Sequence, residues 1–138
     1  MKKVMISITS TQDVGGDVNS VELVTEGEYI CSPEKYDLIY QESSITGMEG
    51  TTTTFTVEPD TVILTREGSV TSQMLFRKGE KHLFLYQTPY GSATMGIYTR
   101  KLEVDVDESR GHVAIEYTLD VDNVNIGVNQ SIIDFKEI

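Results

Sequence analysis

Apolar and polar residues alternate with a period of two along most of this chain, the pattern of strands that bury one face. Val4, Ile6 and Ile8 alternate with Met5, Ser7 and Thr9 and mark a first strand. Residues 13–20 (DVGGDVNS) read as a loop, and VELVTEGEYI resumes the extended pattern. TTTTFTVE is dense in β-branched residues, which suit a strand and disfavour a helix. TVILTR, VTSQMLFR and KHLFLYQT follow, each bounded by a turn signal at Pro59-Asp60, Glu67-Gly68 or Lys78-Gly79.

TMGIYTRKLEVDVD is long and extended. DESRG turns the chain into GHVAIEYTLDVD, whose Val113, Ile115, Tyr117, Leu119 and Val121 form the cleanest one-sided strand, and DNVN turns it into the closing strand IGVNQSIIDFKEI. About ten short segments, with turns every ~8–12 residues, predict an all-β antiparallel sandwich or barrel. One segment reads two ways. In SPEKYDLIYQE, Ser32 suits an N-cap and Pro33 the first helical position, with Tyr36, Ile39 and Tyr40 on one helical face. As a strand, the same segment places Tyr36, Leu38, Tyr40 and Glu42 on one face.

Placing the apolar face of each strand inward carries polar residues inside. Glu42 follows Leu38 and Tyr40, Arg66 follows Val62 and Leu64, and Tyr86 and Thr88 lie with Phe84. A buried carboxylate or guanidinium is costly unless paired. Glu42 and Arg66 are therefore expected to meet, or each to reach a barrel mouth. The pair reads either as a structural ion pair or as groups that hold a ligand carboxylate or perform acid–base work.

YQTPYG, residues 86–91, is a second candidate. Pro89 presets φ for a turn, and Gly91 at positive φ predicts a three-residue hairpin loop with a bulge. A hairpin corner accounts for Pro89 and Gly91 but not for Tyr90, which a ligand-facing lip would explain.

Length and charge narrow the classes. The 138 residues suit one domain, residues 1–138, able to bury a core without disulfides or metals. The 22 acidic residues outnumber 11 basic ones for a formal net charge of −11, which argues against nucleic acid and anionic membranes as partners. The single cysteine, Cys31, suits a reducing compartment, and Ser7, Thr9, Ser10 and Thr11 interrupt any apolar leader, so a cytoplasmic location is expected. No metal or cofactor is expected: His82 and His112 lie far apart, and DVDNVNIG lacks the calcium-loop ligand at Val124 and glycine at Asn125. Neither a GxSxG elbow nor a GxGxxG loop occurs, and no catalytic residue is assigned.

Taken in order, YDLIYQES, TTTTFTVE, VILTREGSVTSQMLFRKGE, YQTPYGSATMGIYTRKLEV and GHVAIEYTLDVD resemble the YwiB-like family of small bacterial β-barrel proteins. The resemblance implies a single closed antiparallel barrel of about eight to ten strands, lipocalin-like (calycin-type), and a strand rather than a helix for YDLIYQES. Family members usually carry a second Glu after the Tyr of that strand. Here Gln41 precedes a single Glu42, which weakens a carboxylate pair. No activity comes with the resemblance.

Three readings of function follow. The first is a barrel binding a small molecule or peptide at its mouth, with Glu42, Arg66, Tyr86, Thr88 and Tyr90 as candidate contacts. The second is a protein-interaction module with a filled barrel. Closure by Met74, Phe76, Met95 and Tyr117 would favour it. The third is an enzyme with Glu42 as base beside Tyr86 or Arg66.

Overall fold

The computed structural model describes residues 1–138. The chain forms ten strands: β1 (Lys2–Val14), β2 (Asp17–Cys31), β3 (Tyr36–Gln41), β4 (Thr51–Val57), β5 (Val62–Gly68), β6 (Ser72–Phe76), β7 (Lys81–Thr88), β8 (Gly91–Val106), β9 (Arg110–Val121) and β10 (Val124–Glu137). All ten belong to one antiparallel sheet in the order β6-β5-β4-β3-β2-β1-β10-β9-β8-β7. Every neighbour is also a sequence neighbour except at β1–β10, where the first and last strands pair from Val4–Glu137 to Asp13–Val128.

The sheet curls into a nearly closed barrel. The expected full closure stops at the β6–β7 seam, where a single bridge joins Thr71 to Gln87 through backbone bonds of 2.9 and 3.0 Å. Towards the β6–β7 turn, Gly79 donates instead to the carbonyl of Thr99 in β8 (2.9 Å). The two strands of this hairpin therefore splay, held at both ends and unpaired between.

The period-two pattern sets the interior. Val4, Ile6 and Ile8 of β1 are buried, as are Leu38 and Tyr40 of β3, Phe55 and Val57 of β4, Val62 and Leu64 of β5, and Met74 and Phe76 of β6. SPEKYDLIYQE resolves as a turn followed by strand β3, with Ser32 N–H donating to the Lys35 carbonyl (2.9 Å). Its apolar positions pair with Phe55 and Thr53 across β4, a cross-strand gain that an isolated helix could not match.

Two turns differ from expectation. The eight-residue loop over 13–20 shrinks to Gly15-Gly16, because both glycines take positive φ (60° and 89°) and permit a tight hairpin whose strands run on to Val14 and from Asp17. The turn after β7 has two residues rather than three, since Thr88 pairs directly with Gly91 around Pro89-Tyr90. In β8 the register shifts between Thr99 and Lys101, so the inward side passes from Ile97 and Thr99 to Leu102, Val104 and Val106.

One barrel end is plugged by aromatics. Tyr29 lies 4.5 Å from Phe135 and 5.8 Å from Tyr36 between ring centres, and its hydroxyl donates to the Asp107 carbonyl (2.8 Å). The opposite end carries the β1–β2, β7–β8 and β9–β10 turns, and it is towards this end that β3 runs into Glu42.

Candidate functional site

A cavity of about 250 Å³ lies inside the barrel, on the side away from the Tyr29 plug. Apolar side chains make up most of its wall, among them Ile8, Leu23, Leu64 and Ile115. Met74, Phe76 and Tyr117 line this space rather than fill it, while Met95 stands outside it. Three of the four residues that would have signalled a filled barrel thus line a cavity instead.

Besides Ser10 and Ser131 at its outer edge, a cluster of polar-tipped side chains interrupts the apolar wall: Tyr40, Glu42, Thr46, Arg66 and Tyr117. Strand register explains the grouping. Tyr40, Thr53 and Arg66 are successive cross-strand partners on β3, β4 and β5, and Glu42 lies two residues past Tyr40 on the same face. The Glu42 carboxylate is buried and accepts hydrogen bonds from Thr53 Oγ1 (2.5 Å) and Thr46 Oγ1 (3.0 Å). Arg66 Nε stands 3.9 Å from Glu42 Oε2, close enough to compensate the charge but too far for a hydrogen bond.

Arg66 is the less satisfied partner. Its Nε is buried with no acceptor, and its Nη1 reaches only the Met74 thioether at 3.9 Å. Burial pushes the Tyr40 hydroxyl above the ordinary tyrosine range, the Glu42 charge pushes it further, and the Arg66 charge partly offsets both. Burial likewise raises Tyr117, against the opposing influence of Arg66 and the Ser131 hydroxyl. At neutral pH both phenols keep their protons and can donate. The site therefore presents donors around one compensated ion pair.

Of the five residues singled out from sequence, Glu42 and Arg66 come together at the cavity. Tyr86, Thr88 and Tyr90 do not join them. Tyr86 and Thr88 are half-buried on the inward side of β7, and neither lines the cavity. The Thr88 hydroxyl is engaged in the turn, accepting from Tyr90 N–H and donating to the Gly91 carbonyl, both at 3.1 Å. Tyr90 points into solvent, 99% exposed, although its turn stands at the cavity's end of the barrel.

Thr46, Thr53, Tyr40 and Tyr117 are not among the candidate contacts expected from sequence, where Tyr117 figures only as a barrel-closing residue. The signal for Thr53 was available: in TTTTFTV the alternation that buries Phe55 and Val57 also buries Thr51 and Thr53, and an inward threonine needs a polar neighbour. No group of histidine, cysteine or carboxylate side chains has the arrangement of a metal site.

The chain is similar to known proteins over most of its length. It is 25% identical over 118 residues to the uncharacterized β-barrel protein YwiB of Bacillus subtilis (strain 168), covering 86% of this chain and 82% of that protein. The crystal structure of the B. subtilis ywiB protein superimposes with a TM-score of 0.89 at 21% identity, covering 99% of this chain and 92% of that one. Residues 6–133 match the model of the family described as Domain of unknown function (DUF1934), and the chain belongs to that family.

Proposed function

We propose that the protein is a small-molecule-binding barrel that holds its ligand inside, in the lipocalin-like manner, with Arg66 donating to an acceptor atom of the ligand. The observation that carries this reading is the coincidence of an interior cavity with a buried guanidinium nitrogen that lacks an acceptor. A buried unsatisfied donor costs about 1–3 kcal/mol, and a bound acceptor would recover that cost. At ~30 Å³ for each water-sized group, the space takes a ligand on the order of eight such groups.

Glu42 fits the role of orienting group better than that of a catalytic base. Both its oxygens are engaged by threonine hydroxyls, and Arg66 Nε stands 3.9 Å from Oε2. Tyr86, Thr88 and Tyr90 stay outside the proposed contact set. The setting we infer is cytoplasmic, in keeping with one free cysteine and a net charge of −11, which suits neither nucleic acid nor an anionic membrane as partner.

Native mass spectrometry of the gently desalted protein, followed by solvent extraction, tests the reading. Excess mass released on denaturation, and missing from a Ser131→Trp variant that fills the cavity from β10, is the expected result. Both proteins appearing at their own bare chain masses would oppose it and favour a surface-acting module.

A further inference from the structure

The inward faces of β1, β2 and β10 change character at one level of the barrel. Below it they read Ile8, Leu23 and Ile133, cross-strand partners that are all buried. The next two inward positions on each strand are Ser10 and Gln12, Val21 and Asn19, and Ser131 and Asn129. The register aligns them in rows: Ser10 pairs with Val21 and Ser131, and Gln12 pairs with Asn19 and Asn129. They line a second space of about 200 Å³ that opens to solvent past the exposed Asn19 and Val21 and shares Ser10, Val21, Tyr117 and Ser131 with the apolar cavity.

The lining of this outer chamber is distinctive in charge. In a protein with 24% charged residues and a net charge of −11, none of its nine lining residues is charged. Its hydrogen-bonding capacity is nevertheless high, and Asn129 Nδ2 is buried with no acceptor. The inner chamber adds no net charge, because Glu42 and Arg66 compensate each other. An ionic head would there give up part of its hydration with no countercharge to spare in return, a loss that a neutral hydrogen-bonding head avoids.

Resting on the ligand-binding reading above, we infer that the ligand is an uncharged amphiphile. Its body, apolar but for the acceptor atom that Arg66 engages, occupies the inner cavity, and a neutral head rich in hydroxyl or amide groups meets Gln12, Asn19, Asn129 and Ser131. Hydroxyl and amide heads offer the same alternating donors and acceptors that serine, asparagine and glutamine side chains match.

The test compares ligands with a common six-carbon tail by titration calorimetry of the full chain. Hexyl glucoside supplies a hydroxyl head, hexanoylglycinamide an amide head, hexanoate and hexyltrimethylammonium charged heads, and 1-hexanol almost no head. The glucoside or the glycinamide is expected to bind one-to-one, at least about tenfold more tightly than hexanol and than either ion. Asn129→Leu should remove that advantage while leaving hexanol affinity within about twofold, which shows that the variant is folded and its inner cavity intact. Hexanoate or the ammonium binding best, or Asn129→Leu leaving the head preference unchanged, overturns the inference. Binding of hexanol without any preference for a neutral head overturns it while sparing the cavity reading, whereas no binding by any of the five overturns both.

Discussion

Arg66 Nε lies 3.9 Å from Glu42 Oε2 inside the barrel, and the carboxylate is hydrogen-bonded while the guanidinium nitrogen is not. The asymmetry predicts how the pair responds to mutation. Arg66→Leu leaves a buried carboxylate supported only by two threonine hydroxyls and should cost about 3 kcal/mol in urea unfolding. The double variant Glu42→Leu/Arg66→Leu should recover most of that loss, since no buried charge remains. A single-variant loss below about 0.5 kcal/mol would mean that the pair is solvated rather than buried.

The pair was legible in the sequence because period two places every second residue of YDLIYQE and VILTR on one face, whatever the barrel's final shape. The cavity was not legible. Its existence depends on the residues that line it failing to meet, which follows from barrel curvature and strand length rather than from alternation. Tyr86 shows the same limit: its inward orientation follows from alternation with Phe84, but the position of β7 beside an open seam sets it apart from the cavity. Gly15-Gly16 was readable as a turn, though its length depended on φ values that only the folded hairpin reveals.

Alkaline titration follows from the buried phenols. Burial raises Tyr29, Tyr40 and Tyr117 above their unfolded value, so each contributes stability that is intact below about pH 10 and is lost as pH rises through the folded range. Absorbance at 295 nm should show these three tyrosines ionising only together with loss of the β-sheet circular dichroism signal. Their ionisation in a still-folded protein would place them in contact with water.

The seam predicts where the barrel opens first. Between the Thr71–Gln87 bridge and the Gly79–Thr99 bond, β6 and β7 make no ladder with each other, whereas β1 is paired on both sides. Hydrogen exchange should therefore be fastest among strand amides along the facing edges of residues 73–75 and 82–86, and slowest in residues 4–8. Equal protection across the seam would indicate a fully laddered barrel.

Gly27 of β2 leaves no room for a side chain. A Cβ there would run into the Ile39 carbonyl oxygen and Ile6 Cδ1, and the former belongs to the backbone of the neighbouring strand. Gly27→Ala should cost about 1–3 kcal/mol in thermal or urea unfolding through forced displacement of β3. An unchanged unfolding midpoint would show that β2 and β3 stand further apart.

The account turns on whether the barrel interior admits a guest. Methyl-resolved NMR of the labelled protein titrated with 1-hexanol asks this directly. Saturable shifts confined to cavity-lining methyls such as those of Ile8, Leu23, Leu64 and Ile115, with Val4 and Val106 at the plugged end unmoved, are the predicted result. Shifts that fail to saturate, or that spread over the outer face at Leu83 and Leu85, would show a closed interior and contradict it.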